Sequence, residues 1–89
     1  MAPGVTIIVT PSCLICPETI DALQIADPEM TIRVLDATVD DVRAYAVQAA
    51  PTVVVADAKG EIQMRRSGRS TISDASAIAT LARQVAVAA

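Results

Sequence analysis

Cys13 and Cys16, with Leu14 and Ile15 between them, are the two thiols of this chain, and their spacing is its clearest chemical signal. Two sulfurs three residues apart can close a small disulfide ring. The apolar run from Val5 to Val9 precedes them, and a helical pattern with Ile20, Leu23 and Ala26 follows, so the pair sits at a strand-to-helix junction. A thiolate in the first turn of a helix is favoured by unpaired backbone N–H groups and by the positive end of the helix dipole. The thiolate is the attacking species in disulfide exchange. Cys13 is therefore assigned as nucleophile, and Cys16, expected to lie further inward, as the thiol that resolves the mixed disulfide. Pro17 costs little, because donors in an opening turn have no intrahelical partner to lose.

Metal binding and a purely structural disulfide are the alternatives for this pair. A structural zinc site takes four ligands, usually Cys or His, and the chain has no histidine and no third cysteine. Carboxylates, or a dimer sharing two pairs, would have to complete such a site. Redox chemistry is the reading that this spacing favours beside a βαβ pattern.

The elements that must position the thiols follow from patterning. At 89 residues the chain is one domain, residues 1–89, with a single modest core. The apolar fraction is 53%, yet Tyr45 is the sole aromatic, so the core is built from Val, Ile, Leu and Ala. The net charge of −3 argues against nucleic acid as a partner. Met1-Ala2-Pro3-Gly4 holds no basic residue ahead of an apolar run of only about five, which reads as neither signal peptide nor membrane span. A cytoplasmic location is the resulting expectation, where a cysteine pair is more often catalytic or redox-sensing than structural.

Val5 to Thr10 reads as a strand buried on both faces, being short, β-branched and uncharged. The helix carrying the thiols should run to Ala26 or Asp27, because the residue before Pro28 avoids helical torsions. Glu18 and Asp21 belong to its solvated surface. Thr31 to Leu35 alternates as a second strand, parallel to the first by a right-handed crossover. Thr38 and Asp41 have the spacing of a capping box that would open a second helix. Val42, Tyr45, Ala46 and Ala49 fall at core spacing along it, and its end is expected near Ala49 or Ala50. Pro51 and Thr52 lead into a third strand over Val53 to Val55, Asp57-Ala58-Lys59-Gly60 turns the chain, and Glu61 to Arg66 returns antiparallel. After the turn Ser67-Gly68-Arg69-Ser70, a last helix from Ser73 buries Ile78, Leu81, Ala82 and Val85, and residues 85–89 are expected to fray.

The order β-α-β-α-β-β-α, with Cys13-Leu14-Ile15-Cys16 after the first strand and Ala50-Pro51-Thr52 before the third, resembles the thioredoxin fold in its minimal, glutaredoxin-like form. The resemblance covers nearly the whole chain. It implies an α/β domain with a four-stranded mixed sheet flanked by three helices. It also implies a cis proline at Pro51 lying against the disulfide, with Ala50, Pro51 and Thr52 presenting backbone to an incoming peptide or to glutathione. The activity implied is disulfide reduction through Cys13 and Cys16. The partners would be a protein disulfide and an upstream reductase, with no bound cofactor beyond the Cys13–Cys16 disulfide and glutathione as a candidate substrate. A monomer that touches neither nucleic acid nor membrane is expected.

The sequence departs from that pattern in three places. Ser12 stands where thioredoxins commonly carry tryptophan, Leu14-Ile15 replaces the usual dipeptides, and Gly68 alone remains of a paired glycine turn. The apolar Leu14-Ile15 tip reads either as a contact for a hydrophobic partner or as packing against the proline loop. Arg66 and Arg69 read either as forks for a carboxylate of glutathione or of a protein partner, or as charges that keep an edge strand from aggregating. Two other functions remain beside the reductase: an electron-relay or docking module for a larger enzyme, and a metal carrier using two thiolates.

Overall fold

A computed structural model describes residues 4–88 apart from 46 and 48. Among the described residues the chain is α/β, with a four-stranded mixed sheet and three helices. The strands are β1 (Gly4–Val9), β2 (Ile32–Asp36), β3 (Thr52–Ala56) and β4 (Ile62–Ser67), in the spatial order β2-β1-β3-β4. β1 runs parallel to β2 and antiparallel to β3, and β3 is antiparallel to β4. The two central strands are the most buried ones: every residue of β3 is buried, as are Val5 to Ile8 of β1. β4 alternates half-buried with exposed positions, as an edge strand with one covered face does.

The helices are α1 (Cys16–Ala26), α2 (Ser70–Ser73) and α3 (Ala75–Ala88). α1 stops where Pro28 requires it to: Asp27 has φ −151° and ψ 97°, and its N–H donates to the Leu23 carbonyl at 3.0 Å. The Asp27 carboxylate accepts from the Arg83 guanidinium at 3.0 Å, tying the end of α1 to α3. This contact holds the Asp27 carboxyl below its usual range. Leu23 of α1 and Ile78 of α3, both fully buried, cluster with Ile7 and Val53 on one face of the sheet. Each such side chain contributes roughly 1.5–3 kcal/mol by leaving water. Ala75 and Ala82 flank Ile78 at helical spacing in the same cluster, small enough to bring α3 close.

Two expectations for helices are corrected. Between β2 and β3 the described residues form no α-helix; the regular structure there is a single 3-10 turn over Arg43–Tyr45. Thr38 and Asp41 do not form a capping box. The N–H and hydroxyl of Thr38 both donate to Asp36, and Asp41 accepts from the backbone and guanidinium of Arg43. Short acidic side chains that bond nearby N–H groups offer the backbone an alternative to helix. Val39, Val42 and Val47 lower the local helix propensity as well. Tyr45 is nevertheless buried, clustering with Ile8, Leu35 and Val54 on the second face. Ala46, expected in that core, lies outside the described residues, as does Ala89. The last helix is divided: α2 is one turn, α3 starts after Asp74, and the Asp74 N–H donates to the Ser70 carbonyl at 2.9 Å.

Candidate functional site

Thr10 follows the last residue of β1, and the Cys13 N–H donates back to its carbonyl at 3.1 Å, closing a turn with Pro11 at its second position. Proline's fixed φ suits that place. The turn delivers Cys13 ahead of α1, which begins at Cys16. The expectation that both sulfurs lie in the first helical turn is thus adjusted: Cys16 occupies the first helical position, Pro17 the second, and Cys13 precedes the helix. The cap residue Ile15 supplies no side-chain hydrogen bond, so the N–H groups of Cys16 and Glu18 open the helix without a side-chain acceptor.

The two sulfurs are joined in a disulfide, with Cα atoms 5.6 Å apart, within the usual range. Their surroundings differ. Cys16 is 5% exposed and belongs to the core, whereas Cys13 is half-buried at the surface. Leu14 is 90% exposed, so it does not pack against the proline loop; Ile15 is half-buried. Glu18 and Asp21 are exposed on α1.

Ala50, Pro51 and Thr52 reach the same end of the sheet. Ile8 pairs with Thr52, which brings the end of β1 level with the start of β3, and the Ala50–Pro51 peptide bond is cis. Pro51 and Thr52 are buried, and Ala50 is half-buried. The Thr52 hydroxyl donates to the Ala49 carbonyl and lies 3.1 Å from the Ser67 hydroxyl. Its side chain therefore shapes the loop from within and offers nothing to a substrate, while Ala50 keeps access to solvent.

Arg66 pairs with Val53 across the ladder, and its guanidinium donates to Asp74 at 3.0 Å and to the Arg65 carbonyl at 2.8 Å. That fork is engaged within the chain. Arg69 is exposed, just before α2. Between them Gly68 has φ +64°, a conformation that a side chain would strain although nothing crowds the site. Its N–H donates to the Pro51 carbonyl at 2.9 Å.

Sequence reasoning missed two residues of this end of the molecule, Thr19 and Thr71. Both are fully buried, and their hydroxyl oxygens are 2.7 Å apart. Fifty-two positions separate them, so no local signal links them.

Among the described residues no group of three or more Cys, His, Asp or Glu side chains could hold a metal ion. None of the described helices is long and apolar enough to cross a membrane. A cleft of about 830 Å³ lined by Met30, Arg33 and Arg83 lies at the opposite end of the sheet, by the start of β1, and includes neither cysteine. No family model matches the chain, and no curated protein matches it.

Proposed function

We propose that this chain is a small thiol-disulfide oxidoreductase with a thioredoxin-like, glutaredoxin-like fold that reduces protein disulfides in the cytoplasm. The observation that carries the reading is the asymmetric disulfide at the opening of α1: Cys13 half-buried at the surface, Cys16 in the core, at the same end of the sheet as the loop that ends in Pro51. Only the outer sulfur of such a pair meets a bulky substrate.

In the reduced protein the Cys13 thiolate attacks one sulfur of the substrate disulfide. A Cys13–substrate disulfide forms and the second substrate sulfur leaves as thiolate. Cys16, having given up its proton, then attacks Cys13 Sγ, expels the remaining substrate thiolate and restores the Cys13–Cys16 bond. Two protons leave the protein thiols and two are taken up by the products, so the substrate gains two electrons and the protein loses two. An upstream dithiol, a reductase or glutathione, must return them.

Reduction rather than strong oxidation fits the surroundings of Cys13. A strong oxidant needs a deeply stabilised thiolate. Here the chain has no histidine, the dipeptide is Leu14-Ile15, and Arg66 is engaged by Asp74. The potential is expected in the range of about −200 to −270 mV spanned by glutaredoxins and thioredoxin. Leu14, exposed beside the thiol, favours a second reading: an electron relay dedicated to one apolar partner.

The test reduces the protein and follows each thiol by mass spectrometry. Cys13 should alkylate first, Cys13→Ser should abolish disulfide reduction, and Cys16→Ser should accumulate mixed disulfides. Turnover retained in Cys13→Ser rules the mechanism out. Equilibration against glutathione buffers gives the potential, and a midpoint near −120 mV, roughly that of a strong oxidant, rules out the reductant. A protein that turns over its own partner but no generic disulfide is the relay.

A further inference from the structure

The buried hydroxyl pair Thr19–Thr71 stands where two parts of the thiol site meet. Thr19 lies in the first turn of α1, one turn after Cys16, and its own N–H donates to the Ile15 carbonyl at 3.0 Å. Thr71 lies in α2, and its N–H donates to the Gly68 carbonyl at 3.1 Å. Gly68 in turn donates to the Pro51 carbonyl at 2.9 Å. The contact between the two hydroxyls therefore closes a polar chain from the cysteine turn, through two helices, to the loop that carries Ala50 and Pro51.

Proton supply gives the chain a direction. Each threonine hydroxyl has one proton, and three acceptors are in reach: the Ile15 carbonyl 3.1 Å from Thr19 Oγ1, the Gly68 carbonyl 2.7 Å from Thr71 Oγ1, and the partner hydroxyl at 2.7 Å. The two short contacts are filled when Thr19 donates to Thr71 and Thr71 to Gly68. The Ile15 carbonyl is still satisfied by the Thr19 N–H. Packing alone would be served by valine at either position, and a fully buried hydroxyl pair has a cost that its mutual bond and its bonds to the Ile15 and Gly68 carbonyls offset.

On the redox reading just proposed, we infer that Thr19 and Thr71 are positioning residues that fix the thiol turn against the Ala50–Pro51 loop, so that a peptide lying on that loop presents its disulfide to Cys13. A small disulfide that touches only the sulfur does not need this alignment. An extended peptide does, because its backbone and its sulfur must be placed at once, and small misplacements of reacting atoms are costly.

Substitution leaves each remaining hydroxyl a partner. In Thr71→Val the Thr19 hydroxyl turns to the Ile15 carbonyl, and in Thr19→Val the Thr71 hydroxyl keeps the Gly68 carbonyl. Single-turnover rates of the reduced protein are measured with a peptide dimer joined by one cystine and with dithiobis(nitrobenzoate). Thr71→Val and Thr19→Val should each slow the peptide reaction about tenfold, the size of one lost hydrogen bond, and leave the small disulfide within about twofold of wild type. Thr71→Ser, which keeps the hydroxyl, should behave as wild type with both.

The inference is overturned by an unchanged peptide rate in Thr71→Val or Thr19→Val, by equal slowing on both disulfides, or by a Thr71→Ser as slow as Thr71→Val. Failure of both valine variants to fold would assign the pair to the fold alone and overturn it as well. A wild type that reduces neither disulfide removes the redox reading and the inference with it. A wild type active on both, with indifferent variants, removes the inference only.

Discussion

On one face of the sheet Leu23 and Ile78, from two helices, cluster with Ile7 and Val53; on the other, Tyr45 from a single 3-10 turn clusters with Ile8, Leu35 and Val54. Both covers exclude water, since Ile7 and Ile8 are equally buried. They differ in what holds them. The helical cover is made of long apolar stripes joined by the Asp27–Arg83 pair and the Thr19–Thr71 bond. The other cover is irregular chain, pinned by hydrogen bonds to half-buried Asp36 and exposed Asp41 and by one ring. With no Phe or Trp in the chain, that ring has no substitute.

The comparison is tested most severely by cutting each cover at its largest buried side chain. Leu23→Ala should cost about 3–5 kcal/mol in urea unfolding, because the neighbouring helices cannot close the cavity. Tyr45→Ala removes more atoms and should still cost less, about 2 kcal/mol, because irregular chain settles into the space. A Tyr45 variant as unstable as the Leu23 variant would mean that the two covers are equally rigid.

Acid should separate the faces next. The Thr38 hydroxyl and N–H hold Asp36 below its usual pKa, and the Arg43 guanidinium does the same for Asp41. A carboxylate with a depressed folded pKa contributes stability that is fully present above its unfolded value, about 3.9, and lost as the pH falls through the folded one. Asp27, lowered by Arg83, is the helical face's counterpart, but it is one link upon a packed core. Tyr45 fluorescence, which reports the irregular cover alone, should therefore change at a higher pH than the helical circular dichroism. Coincident transitions would remove the distinction.

The smallest expected effect is that of Thr38→Ala, which deletes the hydroxyl bond to Asp36 at 2.6 Å. Being exposed, it should cost only about 0.5 kcal/mol, yet shift the Tyr45 signal toward solvent. An unaltered Tyr45 spectrum would show that the 36–45 segment is fixed by the ring rather than by its turn.

The uneven covers also explain which elements were legible. The strands followed from short β-branched runs and alternation, and their observed bounds fall within about two residues of expectation, a scatter usual at element ends. The helix expected from Thr38 to Ala50 had the right apolar spacing and a capping sequence, but Asp36, Asp40 and Asp41 could bond local N–H groups instead, and that competition is invisible to periodicity. A segment of that length is also marginal as a helix unless packing secures it. At the thiol end, the cysteine spacing and Pro51 were plain in the sequence, whereas the burial of Thr52 and the engagement of Arg66 by Asp74 were not.

The sequence by itself determined what depends on neighbours along the chain: the strand-turn-helix that holds Cys13 and Cys16, the stop at Asp27-Pro28, and the hairpin at Asp57 to Gly60. Tertiary structure decided what depends on distant partners. It left Leu14 outside, covered one face of the sheet with Tyr45 in place of a helix, and brought Thr19 to Thr71 across fifty-two positions. The physical reason is that propensity and periodicity act over a few residues, while the burial of a hydroxyl or a thiol is fixed only once every element has taken its place around it.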